Sequence, residues 1–133
     1  MNSYPTVSIA IPVYNECDYI ERVLINFLQT SYPNLVEILV ADGGSIDRTQ
    51  EIVTKLALMD SRVKLLDNPL KIQSAGLNLM LTSATGDIFL RADAHSDYAS
   101  DYIERCVEAL VKSAAHNAGG AQRFVAKIGR AHV

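Results

Sequence analysis

Two apolar rhythms alternate along this chain. Residues 7–14 (Val7-Ser8-Ile9-Ala10-Ile11-Pro12-Val13-Tyr14) are rich in β-branched side chains and predict a strand, with one ladder hydrogen bond missing at Pro12. Ile20, Val23, Leu24, Phe27 and Leu28 then recur at helical spacing behind an Asp18/Glu21 capping-box pattern, and Tyr32-Pro33-Asn34 ends that helix. Residues 36–41 predict a second strand that runs into the turn Asp42-Gly43-Gly44-Ser45. Asp47 and Gln50 form another capping-box pattern ahead of the stripe Ile52, Val53, Leu56 and Met59. Residues 63–66 predict a short strand, 67–69 a loop, and 74–82 a helix whose inner face is Leu77, Met80 and Leu81. A Gly86-Asp87 turn leads into a buried strand at 88–92. Ser100 or Asp101 then caps a helix with Ile103, Val107, Leu110 and Val111 on one side. Beyond Ala114 the pattern fades: 116–120 is loop-like, and 121–133 is a weakly helical, poorly defined tail.

Each strand is followed by a helix before the next strand, which predicts an α/β fold with a mostly parallel sheet covered on both faces. In open sheets of this kind ligands sit beyond the carboxyl ends of the strands. The polar clusters fall there: Tyr14-Asn15-Glu16, Asp42-Gly43-Gly44-Ser45 and Asp93-Ala94-His95, while the strand bodies between them are almost free of charge. A carboxylate beside an imidazole at one strand end makes Asp93 and His95 a candidate site for Mn2+ or Mg2+, with phosphate oxygens and water completing the shell. A nucleotide diphosphate approaching so acidic a rim is repelled without a cation.

Each of these residues also has a plainer reading. Asp42 before two glycines favours a turn by itself, and Asn15-Glu16 suits a solvated loop before a helix. Asp93 and His95 also suit ordinary loop polarity. Arg91 interrupts an apolar strand, either to meet a phosphate or to face outward at the sheet edge. Lys71 is a weaker phosphate candidate that also suits a solvated loop.

With 133 residues, 49% of them hydrophobic and 20% charged, the chain has the size and composition of one soluble globular domain. A net charge of −3 and no Lys/Arg cluster argue against nucleic acid as a partner. Cys17 and Cys106 lie far apart without metal-ligand spacing, which fits a reduced, cytoplasmic setting, and nothing around Cys17 argues for an activated thiol. No apolar run approaches the length of about 20 residues that a membrane span needs. A dinucleotide fingerprint would require G-x-G-x-x-G after the first strand, where this chain has Pro12-Val13-Tyr14-Asn15-Glu16, and no Walker sequence is present. A four-stranded unit stopping in mid-element is expected to be the first part of a longer chain.

Three blocks carry a resemblance: residues 7–16, residues 38–49 (Ile38-Leu39-Val40-Ala41-Asp42-Gly43-Gly44-Ser45-Ile46-Asp47-Arg48-Thr49), and residues 86–95 (Gly86-Asp87-Ile88-Phe89-Leu90-Arg91-Ala92-Asp93-Ala94-His95). In this order they resemble the N-terminal half of a family 2 glycosyltransferase with the GT-A (Rossmann-like) fold, in the succinoglycan and exopolysaccharide subgroup. The likeness covers roughly residues 5 to 120. It implies that residues 1–133 form the nucleotide-sugar-binding portion of such a domain. It also implies inverting, metal-assisted transfer of a sugar, most commonly from a UDP-sugar, to a hydroxyl of a saccharide or lipid-linked acceptor. Nucleotide-binding positions are expected at Pro12, Tyr14, Asn15, Glu16, Asp42, Gly43, Ser45, Lys71, Arg91, Ala92 and Asp93, and metal ligands at Asp93 and His95.

His95 stands where the family's D-x-D motif usually has its second aspartate. Leu77 replaces the arginine of a common Ala-Arg-Asn helix, and Arg91 or Lys71 is the substitute. The catalytic base and acceptor region are expected after Val133, often with membrane-anchoring helices, which would set the parent on the cytoplasmic face of the membrane. The alternative is a catalytically incompetent nucleotide-binding or assembly module, with self-association through an exposed apolar edge.

Overall fold

The computed structural model describes residues 4–116 and 124–127. Elements follow in the order β1 (Val7–Val13), α1 (Ile20–Leu28), β2 (Leu35–Asp42), α2 (Thr49–Met59), β3 (Val63–Asp67), α3 (Gln73–Ser83), β4 (Ile88–Arg91), α4 (Tyr102–His116) and β5 (Phe124–Lys127). The strands form one parallel sheet in the order β3-β2-β1-β4-β5. Both faces are covered because successive strand residues point to opposite sides. Val7, Ile9, Ile11 and Val13 of β1 and Ile38 and Val40 of β2 join Ile20, Val23, Leu24 and Phe27 of α1, Val53 and Leu56 of α2, and Ile103 and Val107 of α4 in one core. The alternate residues Ala10, Leu39, Ala41 and Phe89 meet Met80 of α3 on the other face, with Leu77 and Leu81 packed against them. The chain leaves β1 for β2 on one side and returns past β1 to β4 on the other. β1 and β4 therefore flank the topological switch point, where open α/β sheets place their ligands.

Several expectations are corrected. The tail is not helical throughout: Phe124–Lys127 is a fifth strand, paired with β4. The loop expected at 117–120 lies outside the described residues, as do the rest of the tail and Met1 to Ser3, whereas His116 is the last residue of α4. Neither capping box forms, for the caps of α1 and α2 are Tyr19 and Arg48 without side-chain cap bonds. Gln50 instead reaches Asp42 Oδ2 at 2.6 Å. Met59 and Val111 are exposed, so each falls outside the buried stripe of its helix.

The strand bodies also carry one charge that matters. Glu37 of β2 is 1% exposed, and it accepts from Ser8 Oγ and the Thr85 amide at 2.6 Å each and from Lys64 Nζ at 3.1 Å. Burial pushes its carboxyl upward, but these donors outweigh burial and hold it below its ordinary value. This knot ties β1, β2, β3 and the turn before β4 together at the end of the sheet where the strands begin.

Candidate functional site

β1 ends at Val13, and the chain turns sharply through Asn15, whose φ of 53° is left-handed. Such backbone persists only where its surroundings hold it. Here they do: the Asn15 amide donates to Ser45 Oγ at 2.8 Å, and its own Oδ1 accepts from the Ile46 amide at 2.9 Å. This turn carries Glu16 toward the end of β4. There Ala92 donates to the Ala10 carbonyl at 2.8 Å and the Asp93 amide donates to the Tyr98 hydroxyl at 3.0 Å, so Asp93 emerges at the rim on a fixed backbone. Tyr98 is itself anchored, stacked on Phe27 and paired through its amide and carbonyl with Asn26 of α1 at 2.8 Å each.

Asp93 Oδ1 accepts the His95 amide at 2.8 Å, and the His95 ring lies against Tyr19 with centroids 4.4 Å apart. His95 Nε2 contacts Glu16 Oε1. Burial raises the Glu16 carboxyl above its usual value. The imidazole opposes this, and the carboxylates of Asp93 and Asp47 add to it. The structure thus brings Glu16, Asp93 and His95 together. They border a cavity of about 400 Å³ lined also by Pro12, Gln73, Arg91, Ala92 and Ala94. Arg91 is therefore among the residues that border this cavity.

A second cavity of about 270 Å³ shares Pro12, Glu16 and Gln73 with the first and extends past Tyr14, Gly43, Asn68, Lys71 and Ile72. Lys71 is in the left-handed region at φ 60°, and its side chain passes over Gly44. Gly44 has a φ of 89°, a backbone conformation that favours glycine, and a Cβ there would stand 3.0 Å from the movable Lys71 Cε.

Two predicted residues sit differently. Asp42 is 2% exposed, and its carboxylate is occupied by its own turn: it accepts from the Gly44 and Ser45 amides, Ser45 Oγ and Gln50 Nε2 at 2.5 to 3.1 Å. It borders a smaller cavity with Gln50, Leu65, Leu66 and Asp67 rather than the two above. Ser45 bridges Asp42 and the Asn15 amide and lines none of these cavities. Gln73, Asn68, Tyr19 and Tyr98 are site residues that sequence reasoning missed. A polar residue opening a helix marked only Gln73, and the others carry no local signal. Hydrogen bonding to Asp47 pushes the Cys17 thiol up, which disfavours the thiolate.

Among the described residues no three His, Cys, Asp or Glu side chains form a ready-made ligand cluster. Asp93 and His95 nevertheless supply one carboxylate and one imidazole at the mouth of a cavity. That donor chemistry fits a cation of the Mn2+ type whose remaining positions are filled by ligand oxygens. No helix among the described residues is long and apolar enough to cross a membrane.

Comparison with known proteins gives a consistent result. The family model described as glycosyl transferase family 2 matches residues 8–130. Succinoglycan biosynthesis protein ExoA of Rhizobium meliloti is 43% identical over 102 residues, which are 75% of this chain and 31% of that protein. The mannosyltransferase PcManGT from Pyrobaculum calidifontis, in complex with GDP-Man and Mn2+, superposes with a TM-score of 0.71 at 30% identity, over 80% of this chain and 32% of that one. TarS of S. aureus superposes at a TM-score of 0.68 and 21% identity, over 80% of this chain and 32% of that one, a likeness of fold alone. The chain thus spans about a third of the length of these relatives.

Proposed function

Because the chain belongs to glycosyl transferase family 2 and has its GT-A fold, we propose that it binds the nucleotide-diphosphate donor for transfer of a sugar, with inversion, to a saccharide or lipid-linked hydroxyl. The observation that carries this reading is the pair of joined cavities at the switch point, one acidic and fronted by Asp93 and His95, the other bordered by Tyr14, Asn68 and Lys71. The diphosphate lies across their shared wall of Pro12, Glu16 and Gln73. The nucleoside enters the second cavity, where the exposed Tyr14 ring offers a stacking face. Arg91 and Lys71 meet phosphate oxygens from opposite sides, with Arg91 suited to a bidentate contact.

Asp93 and His95 would hold a divalent cation; when bound, it supplies Lewis-acid stabilisation of the leaving diphosphate. Glu16 keeps the His95 ring oriented through its contact with Nε2. No described residue is assigned as the base that deprotonates the acceptor. The reading extends to action at the cytoplasmic face and to self-association. UDP and GDP titrated calorimetrically are expected to bind with Mn2+ and to lose most of that binding in EDTA. Equal binding with and without the metal would defeat the proposal.

The loop behind the rim has its own pH signature. Burial works against the charged Asp47 carboxylate, yet bonds from the Thr49 hydroxyl and amide and from Cys17 hold its pKa down to about 2, against an ordinary 3.8. A depressed folded-state value favours the folded form once the group is ionised. Its contribution is therefore complete above pH 3.8 and is lost as pH falls through about 2. Urea melts are expected to show Asp47→Asn less stable than the parent at pH 6, with the gap closing across that window. A gap independent of pH would refute the assignment.

A further inference from the structure

Three successive amides after β1 are held by side chains from the loop after β2. Asn15 donates to Ser45 Oγ at 2.8 Å, Glu16 to Thr49 Oγ1 at 2.8 Å, and Cys17 to Asp47 Oδ2 at 3.2 Å. The bracket is centred on Glu16. Thr49 is wholly buried, and neither it nor Asp47 lines either of the two cavities. A threonine hydroxyl has one proton. In Thr49 that proton is committed to Asp47 Oδ1 at 2.5 Å, so the oxygen presents only acceptor capacity to the Glu16 amide. Asp47 Oδ1 also takes the Thr49 amide at 2.8 Å. The ionised carboxylate therefore fixes the hydroxyl, the hydroxyl fixes the Glu16 backbone, and the left-handed turn at Asn15 is locked between them.

We propose that Asp47 and Thr49 are positioning residues of the donor site, which deliver the Glu16 carboxylate to His95 at the wall between the two cavities. The inference rests on the donor-binding reading for its consequence in binding, but its geometric half stands in the free protein. A role in loop stability alone predicts that binding follows stability whether the hydroxyl or the methyl of Thr49 is removed. A positioning role needs the oxygen and tolerates loss of the methyl.

The test compares Thr49→Val with Thr49→Ser in the full chain, with Glu16→Gln as reference. At fixed neutral pH, the His95 Nε2 resonance of the 15N-labelled free protein is expected to move in Thr49→Val toward its position in Glu16→Gln, and to stay at the parent value in Thr49→Ser. Affinity for Mn2+–UDP and Mn2+–GDP is expected to fall about tenfold in the valine variant, as for other groups that orient metal ligands, and to be kept by serine. Serine, which leaves a methyl-sized gap, is expected to lower the melting temperature while retaining binding. Binding that follows melting temperature in both variants, or an unmoved Nε2 in Thr49→Val, overturns the proposal. If Thr49→Val fails to fold, Asp47→Asn is judged by the same resonance. A parent that binds neither nucleotide defeats the donor reading, and the resonance still decides the positioning claim.

Discussion

Asp93→Ala is expected to weaken Mn2+-dependent binding of UDP or GDP by a factor of about 100 or more, with thermal stability within about 0.5 kcal/mol of the parent. The two halves of this expectation have separate causes. The Asp93 carboxylate stands at the cavity mouth and accepts from the His95 amide two residues on, a local bond that ties no distant segment to it. The backbone bond from Asp93 to the Tyr98 hydroxyl survives the substitution and keeps the loop in place. What disappears is one of the two protein groups that would hold the cation, together with the charge that draws it in. Asp93→Asn separates these effects, because it keeps an oxygen for the His95 amide while removing the charge. It is expected to lose nearly as much affinity as alanine. Unaltered metal-dependent affinity in both variants, measured by calorimetry, would remove Asp93 from its role.

The largest expected loss of stability lies at the other end of the sheet. A Cβ added at Gly86 would stand 2.7 Å from the Ser8 amide nitrogen and 2.8 Å from the Val7 carbonyl carbon, both backbone atoms of the central strand. Neither can move without disturbing β1, which pairs with β2 and β4. The Gly86 amide also donates to Ser8 Oγ at 2.9 Å, and that hydroxyl donates to buried Glu37. Overpacking against rigid backbone, with loss of that bond, is expected to cost Gly86→Ala about 3 kcal/mol, a large part of a small domain's total. Denaturant melts check this, and a loss below about 0.5 kcal/mol would show that the turn is softer than its contacts imply.

The strands were legible because burial on both faces leaves apolar runs bounded by turn residues. The rim was legible because charge concentrates where those runs stop. What escaped is what depends on distant partners. The capping-box patterns were read locally, but Asp47 is drawn to Cys17 and Thr49, and Gln50 to Asp42. Asp42 looked free to meet a ligand, and the turn it begins absorbs its carboxylate. Phe124–Lys127 is only four residues long, too short for a pattern to mark it, and it pairs with β4. Nothing local to Glu37 marks it as buried, because its partners Ser8, Lys64 and Thr85 come from three other segments.

The Glu37 knot gives the molecule a lengthwise division. Its ionic anchor lies at the strand beginnings, whereas the rim residues Glu16, Arg91, Asp93 and His95 lie at the strand ends. Groups so separated usually act independently on folding free energy. Substitutions at the rim are therefore expected to leave the anchor that keeps the sheet assembled intact, so the two ends of the fold can be altered separately.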